Sequence, residues 1–528
     1  MKKTFSSVAL FIALALLLSG HPQEESQGFP LSLESCIQKT LKNNLGLAAD
    51  LLAPVIADAS VSLASHEFVP TLAMGYNEQD QKTVSYSALD AAGTYSTLQN
   101  DFSAQISQSL PTGGSLIMSL TGYKIDTTRK FQTINPRFGS TLRFNLSHPF
   151  LRDFGWKIAR RELLLAQNNR DISEQSLNQN VEDVIYRAKS AYWNYVYSLE
   201  NLKVRRQSLK LAQELLEKNK AEVEAGTLAP IEIFTAQADV STREADILEA
   251  ETLVRNSEDL LKTIMNLAAE LPNVESLRIE PTDTPSVARL EVDLDQALGI
   301  ALENRPDLKS ARIGLDTKQL NLGYYRNQRL PDLRLQAQYW SPGVSGTQIL
   351  YQGGNALTGI VIGIIPGGRS QAMRDVFDFK YKNWSVGLTL SIPMTSIFSR
   401  AAVVQAGLDL KQAQLRVKNL EQQVFLEIRT AVRSVETNFQ RIQAYRSARE
   451  NAQKKLEAEE EKFKVGLSTN YFILQYQRDL ANAMIMELKA LVDYNIAQAA
   501  LYRAQGRGME YEHVSSDDLG TVGLLRSR

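Results

Sequence analysis

The sequence has little of what small-molecule chemistry or a disulfide framework requires. Its single cysteine, Cys36, excludes an intramolecular disulfide and any site with several thiolate ligands. Lys and Arg number 58 and Asp and Glu 59, so the net charge of −1 gives no electrostatic argument for a nucleic-acid partner. The 29 glycines and 16 prolines are too few for a low-complexity chain of 528 residues.

Long apolar runs are missing as well. The longest covers residues 8–18, which is too short to span a bilayer as a helix, so no transmembrane helix is expected. Lys2 and Lys3 precede this run and small or turn-forming residues follow it, which is the layout of a secretory signal. We therefore expect residues 1–28 to be a signal peptide, with its cleavage site left open, and the mature chain to be exported.

Catalytic signatures are also absent. His66, His148 and His513 are scattered, and no HExxH, GxSxG or GxxxxGK[ST] spacing occurs. Met484 and Met486 are explained more simply as core residues of a helix than as metal ligands. The sequence therefore predicts no enzyme, no cofactor and no metal site.

The chain does contain an internal duplication with a period of about 250 residues. Four anchors occur in the same order in both halves: residues 33–44 match 294–305, 70–72 match 331–333, 146–149 match 390–393, and Gly226 matches Gly466. We predict a first repeat over 29–268, a linker over 269–293, a second repeat over 294–505 and a tail over 506–528.

Each repeat is predicted to contain a helix, strands, a long helix, a glycine turn and a return helix. Helical periodicity covers 33–69, 156–224 and 230–268, and again 294–330, 397–464 and 470–505. Four short stretches, near 72–76, 141–147, 333–339 and 384–392, alternate apolar and polar residues as transmembrane β-strands do. A soluble sheet with one buried face has the same period, but strands isolated between very long helices favour the membrane.

Geometry then suggests an assembly. A helix over 156–224 is about 100 Å long, which no globular domain of this size accommodates. Four strands cannot close a barrel, and an open edge in lipid leaves backbone groups without hydrogen bonds. Three copies, with twelve strands in total, would close one barrel. We therefore predict a trimeric 12-stranded β-barrel in a membrane, continued by a hollow cylinder of long helices, with both termini and the linker midway along the long helices.

The repeated opening Leu-x-x-Ala/Cys-Ile/Leu, its Leu-x-Asn-Asn/Arg continuation and the glycine turns resemble TolC-like outer membrane efflux proteins. The resemblance covers residues 31–505 and implies a trimeric 12-stranded outer-membrane β-barrel continued by a long periplasmic α-helical barrel. It implies the outer membrane channel of a tripartite efflux or type I secretion system, with its helical tunnel in the periplasm, that conducts substrates passively. The implied partners are two further copies, outer membrane lipid, a periplasmic adaptor protein and an inner-membrane pump of the RND or ABC type, but no nucleic acid.

The resemblance also implies a periplasmic tip that docks the adaptor and narrows the tunnel. Family members often carry aspartates after the second turn, where Phe472 and Gln475 stand here, so we expect closure by packed aromatic rings. Glu232 stands where a family acid links protomers, and Phe463 replaces its usual tyrosine partner. The expected tip residues are Gly226, Thr227, Glu232, Gly466, Leu467 and Ser468, the constriction residues Tyr471, Phe472 and Gln475, and the membrane-interface aromatics Tyr339, Trp340, Tyr381 and Trp384.

Some alternatives stay open. A periplasmic adaptor of the membrane-fusion type is also exported and also contains long helical hairpins, but it would need one hairpin rather than a duplicated pair. The stretch 102–123, present only in the first repeat, either extends the external face or adds to the strands. The glycine-rich stretch 343–368 is expected to be an extracellular loop, and the transported substrate is not predicted.

Overall fold

The computed structural model describes residues 28–86, 93–271, 274–275, 277–392 and 397–514. The predicted signal peptide, apart from Gly28, and the last part of the predicted tail lie outside these residues. The helices are α1 (Leu33–Asn43), α2 (Leu45–Asp50), α3 (Leu52–Ser65), α4 (Trp156–Ala159), α5 (Arg161–Glu224), α6 (Ile231–Met265), α7 (Leu294–Asn304), α8 (Pro306–Asn327), α9 (Arg369–Phe377), α10 (Ile397–Lys464), α11 (Asn470–Gln505) and α12 (Gly508–Tyr511). The strands are β1 (Gly28–Leu31), β2 (Thr71–Val84), β3 (Thr94–Ser109), β4 (Ser115–Thr127), β5 (Ile134–Pro149), β6 (Arg278–Pro281), β7 (Asp332–Tyr351), β8 (Val361–Ile365) and β9 (Asn383–Ser391).

The predicted helices are confirmed, but the first helix of each repeat is interrupted. In the first repeat Asn44 has an extended ψ of 116° and its side chain accepts a hydrogen bond from the Leu47 N–H, so it caps α2. In the second repeat Arg305 is extended, with ψ 124°, because it precedes Pro306, which opens α8. The long helices α5 and α10 have 64 and 68 residues, close to the predicted lengths.

The chain forms two compact units, each of which takes segments from both repeats. The first unit comprises the chain up to Ala53, then Gln175–Lys309, and the chain from Asn419 onward. The second comprises Pro54–Glu174 and Ser310–Lys418, and it includes all strands from β2 to β5 and from β7 to β9.

The core of the first unit surrounds the middle of α5. Strand β1 pairs in parallel with the linker strand β6, and Leu31 is fully buried. The buried Tyr192 hydroxyl donates to the Leu31 carbonyl at 3.1 Å, and the Tyr195 hydroxyl donates to the Ile279 carbonyl at 2.7 Å. These two tyrosines bury large aromatic surface while their hydroxyls remain hydrogen-bonded, so they fix the N-terminal strand and the linker to the same stretch of helix.

The start of α12 is held to the same helix by a buried carboxylate. Glu182 accepts hydrogen bonds from the Gly508 N–H at 2.8 Å and the Met509 N–H at 3.1 Å. A Cβ atom at Gly508 would lie 2.2 Å from Glu182 Oε2, so a larger residue at this position would displace the carboxylate. Burial raises the pKa of the Glu182 carboxyl to about 7, although the two N–H groups oppose that shift.

The second unit contains one seven-stranded antiparallel sheet. Its order is β2-β3-β4-β5-β7, and the far edge of β7 pairs with β9 over residues 332–340 and with β8 over residues 348–351. The four predicted strands are present as parts of β2, β5, β7 and β9. The prediction of only four strands per chain is wrong, since β3 and β4 lie between β2 and β5 and the short β8 adds a further strand. The expected twelve-strand count rested on that number.

The structure describes the two stretches that set the sheet apart from the predicted one, residues 102–123 and the glycine-rich stretch 343–368. Residues 102–123 belong to β3, β4 and the turn between them, so they add to the strands. The glycine-rich stretch is not simply a loop, because residues 343–351 continue β7 and 361–365 form β8. A Cβ atom at Gly343 would lie 2.1 Å from the Ala372 carbonyl oxygen, so glycine lets α9 approach the strand closely.

One helical stretch, Leu45–Phe68, is long and apolar enough to cross a membrane by length and composition alone. The length of unbroken apolar runs in the sequence did not predict this stretch. It comprises α2, α3 and the 3₁₀ turn His66–Phe68. Only 11% of its apolar window is buried, and α3 buries no residue within the chain. Its apolar surface therefore still requires a partner.

The Glu182 carboxyl makes the stability of the first unit depend on pH. Its pKa in the folded chain lies above the ordinary value of 4.5, so its contribution to stability is fully present below pH 4.5 and is lost as the pH rises through 7. Glu182→Gln stays neutral and should flatten this dependence, with an effect on the order of 3 kcal/mol between pH 4.5 and 7.5. Thermal unfolding midpoints in detergent at several pH values test this; parallel profiles for both proteins would contradict it.

Candidate functional site

The sheet has one face that is apolar across all six long strands. A single cross-strand row on this face consists of Leu72, Ile106, Met118, Phe144, Tyr339 and Trp384, each directly opposite the next. The adjacent row, on the opposite face, consists of Ala73, Gln105, Ser119, Arg143, Trp340 and Asn383. Helix α9 covers part of this face, where Leu142 and Ser341 are buried, but the face away from α9 is not a protein core, since Leu72 is 60% exposed and Trp384 72% exposed. Exposed apolar side chains alternating with polar ones are typical of strands that face lipid on one side and water on the other.

The predicted interface aromatics divide between the two faces. Tyr339 and Trp384 are cross-strand neighbours on the apolar face, and the Tyr339 ring lies 5.9 Å from that of Phe379. Trp340 lies on the polar face, where the Arg143 guanidinium is 5.9 Å from its ring. Tyr381 precedes β9, is half exposed, and has the Lys380 ammonium 5.4 Å from its ring. Tyr339, Trp384 and Tyr381 thus remain candidates for the membrane interface, whereas Trp340 faces the polar side.

The two glycine turns of the first unit have the same geometry. Gly226 has φ +74°, and its N–H donates to the Val223 carbonyl while the Thr227 N–H donates to the Glu222 carbonyl. Gly466 has φ +77°, and the same two bonds join its N–H to Phe463 and the Leu467 N–H to Lys462. Each turn is therefore a helix C-terminus closed by a left-handed glycine. The duplication extends to individual hydrogen bonds.

The turns lie beside one another and expose apolar side chains. The Glu232 carboxylate accepts a hydrogen bond from the Asn470 side chain at 3.4 Å, so this acid links the two repeats within one chain. Ser468 donates to Glu459 at 2.6 Å and, with Lys462, lowers the pKa of the Glu459 carboxyl. The most exposed apolar side chains at this end are Ile231, Phe234, Val465 and Leu467, all more than 60% exposed.

The predicted constriction residues form part of an aromatic cluster on α11. The Tyr471 and Phe472 rings are 5.5 Å apart in an edge-to-face arrangement, and Phe472 lies 6.1 Å from Tyr476. Both Tyr471 and Phe472 are exposed, whereas Gln475 is partly buried. Phe463, in the tyrosine position of the family, packs against Leu215, Ile473 and Leu474 and carries the Lys218 ammonium 4.6 Å from its ring.

A buried ion pair near these turns was not predicted. Arg243 and Asp239 on α6 are joined at 2.7 Å, and their side chains are 3% and 7% exposed. Arg243 also donates to the Ser208 carbonyl at 2.7 Å and the Leu474 carbonyl at 3.3 Å, so it ties α5 to α11. Burial lowers the pKa of the guanidinium, and Asp239 opposes that shift. The two residues share the helical spacing of buried Ala236 and Val240, which was the available signal.

No group of three or more His, Cys, Asp or Glu side chains in the described ranges could hold a metal ion. The arrangement combines long helices with a sheet that has one apolar and one polar face, as in sheets that span a membrane.

Comparison with known proteins identifies a matching family model, a relative and several similar structures. Residues 297–507 match the family model of the outer membrane efflux protein. The chain is 23% identical over 518 residues to the outer membrane efflux protein BepC of Brucella suis biovar 1 (strain 1330), covering 98% of this chain and 93% of that one. The CmeC outer membrane channel of Campylobacter jejuni has a similar structure, with a TM-score of 0.62, 18% identity and coverage of 92% and 87% of the two chains. The open MtrE channel of Neisseria gonorrhoeae also has a similar structure, with a TM-score of 0.58, 17% identity and coverage of 90% of this chain and 89% of that one.

These matches confirm the resemblance inferred from the repeat motifs. Residues 297–507 thus match the outer membrane efflux protein family, and the chain has the fold of the TolC-like channels, which combines a β-barrel with a long helical tunnel. It is an outer membrane protein and not an enzyme. The efflux protein and the two channels named above are outer membrane proteins, which favours the channel over the periplasmic adaptor.

Proposed function

We propose that this chain is the outer membrane channel of a tripartite efflux or type I secretion system and conducts substrates passively to the exterior. The observation that carries the proposal is the uninterrupted apolar row from Leu72 to Trp384, which suits a sheet wall in lipid. The opposite face offers hydroxyl and amide groups to water, among them Ser119, Asn145 and Gln338. A water-filled path of this kind moves solutes without any catalytic group.

We propose a homotrimer as the working assembly. Two exposed apolar stripes in the second unit require cover: Ile56 and Leu63 on α3, and Val404, Leu408 and Leu415 on α10. Each of these five side chains is more than 55% exposed in the single chain. A helical wall in which α3 and α10 contact neighbouring copies would remove these stripes from water.

The α3 stripe gives a direct test of assembly. Ile56→Glu places a charge in the proposed contact between copies and should convert most of the trimer to monomer, because an unpaired carboxylate resists burial. Ser62→Glu is the matched control, since Ser62 lies about 120° around the helix from Ile56. Native mass measurement in detergent reads out the copy number. A trimer in the Ile56→Glu protein would remove α3 from the interface.

We propose that the two glycine turns dock a periplasmic adaptor, which in turn engages an inner-membrane pump of the RND or ABC type. The support is the exposed apolar set around the turns, led by Leu467 at 78% and Phe234 at 66% exposure. Two turns per chain give six similar turns in a trimer, which suits an adaptor hexamer.

Substitutions at Gly466, which has a left-handed backbone conformation, test whether the turn docks the adaptor. Gly466→Val should abolish efflux of a dye from cells, because a β-branched residue resists φ +77° and distorts the turn. Gly466→Asn should retain efflux, since asparagine tolerates this conformation. Both variants should form trimers on unheated gels. Full efflux in the Gly466→Val strain would separate the turn from docking.

We propose that the ring of Phe472 narrows the tunnel and is supported by an edge-to-face contact with Tyr471 and by the tilted ring of Tyr476. Phe472→Ala should raise single-channel conductance in planar bilayers several-fold, because conductance grows with the cross-section of the narrowest segment. Leu467→Ala, an exposed change within the same turn region, is the control and should leave conductance unaltered. Equal conductance in the Phe472→Ala protein and the parent would assign Phe472 to wall packing instead.

A further inference from the structure

The hairpin formed by β3 and β4 distinguishes the first repeat from the second. In the second repeat β7 pairs directly with β9. In the first repeat the corresponding strands β2 and β5 are separated by β3 and β4, which have 16 and 13 residues and pair along almost their whole length. A strand needs about 9 to 11 residues to cross a bilayer. Both added strands are therefore long enough to do so.

The added strands carry the same apolar face as their neighbours. Phe102 and Ile106 on β3, and Leu116 and Met118 on β4, are on the apolar face and between 37% and 40% exposed. Ser119 and its neighbours on the opposite row are polar. A hairpin that only extended the external loops would have no reason to match this pattern in register.

The turn of the hairpin lies level with the end of β5. The Gly155 N–H donates to the Thr112 carbonyl at 3.1 Å, and Thr112 Oγ1 lies 2.9 Å from His148 Nε2. A Cβ atom at Gly113, which has φ +101°, would lie 2.2 Å from the Asp153 carbonyl oxygen. The hairpin thus spans the whole height of the apolar face and ends at the boundary where the chain leaves the sheet for α4.

Within the described residues the sheet ends in two strands with one partner each at this level, β2 and β9. Six strands alternate in direction from β2 to β9, so a further β2 placed beside β9 continues the antiparallel order. In lipid both edges must be paired. A second copy of this chain supplies the required strand.

The duplication indicates the register of that contact. Strand β9 is the repeat equivalent of β5, since 390–393 matches 146–149, and β2 is the equivalent of β7, since 70–72 matches 331–333. Within the chain β5 pairs with β7, and Asn145 is opposite Gln338. The equivalent contact between copies places Thr389 opposite Asn77 of the next copy.

We propose that each chain contributes six strands to a shared barrel, with β9 of one copy paired to β2 of the next in the register of the β5–β7 contact. The proposal rests on the trimer proposed above, in which it gives eighteen strands. Barrel diameter grows roughly in proportion to strand number, so the outer mouth is about 1.5 times as wide as that of a twelve-stranded barrel. The channel therefore accepts bulkier solutes at its membrane end.

The position of the hairpin is tested with single cysteines carrying a fluorophore. Met118→Cys on the apolar face should be quenched strongly by brominated lipids in reconstituted trimers, whereas Ser119→Cys, one residue away, should be quenched weakly and should react with a water-soluble thiol reagent. The native Cys36 does not interfere, because it is buried and its pKa is raised to about 12. A trimer in which Met118→Cys is not quenched overturns the six-strand wall but leaves the trimer intact.

The contact between copies is tested by disulfide cross-linking. Thr389→Cys combined with Asn77→Cys should give a covalent trimer on a denaturing gel under oxidising conditions. Thr389→Cys combined with Gln81→Cys, four residues away on the same face of β2, should not. Cross-linking only in the second pair, or in neither pair of a protein that is trimeric by mass, contradicts the register. Failure to form any trimer would instead overturn the proposed function.

Discussion

A bilayer core supplies no water to backbone N–H and C=O groups, and this constraint determines how the sheet of the second unit can exist. Its inner strands satisfy these groups by pairing on both sides, and its apolar row from Leu72 to Trp384 is suited to lipid rather than to a core. In a single chain, the backbone N–H and C=O groups on the outer edges of β2 and β9 have no partner strand among the described residues. The proposed closure by further copies would pair these edges, and the polar row on the other face would then surround an aqueous path.

The helices of the first unit, by contrast, must remain ordered in water. The apolar side chains of this unit are buried in clusters along α5, α6, α10 and α11, and several buried polar side chains connect its elements. Tyr192 and Tyr195 hold the N-terminal strand and linker, and Glu182 holds the start of α12. Near the turns, Arg243 joins carbonyl groups of α5 and α11. Polar anchors therefore set the relative positions of the helices, while apolar contact supplies most of the stability.

The sequence was informative wherever a single period or a single residue type decides the structure. The 3.6-residue period predicted the long helices, and glycine predicted both turns, because few other residues adopt φ near +75°. The role of residues 102–123 stayed open in the prediction, because serine and glutamine dilute the alternation of β3 and because the second repeat has no equivalent of this stretch. Trp340 was grouped with Tyr339, although adjacent strand residues must point to opposite faces. The burial of Asp239 and Arg243 depends on contacts with α5 and α11, which no local pattern contains.

The central claim is that identical copies complete a membrane barrel that one chain cannot close. Electron cryo-microscopy of the full-length protein in lipid nanodiscs measures this directly, since it counts the copies and the strands that each contributes. The account predicts three-fold symmetry, six membrane strands from each copy and β9 beside β2 at each contact. A particle with one copy, or one whose apolar sheet face packs against protein rather than lipid, would contradict it.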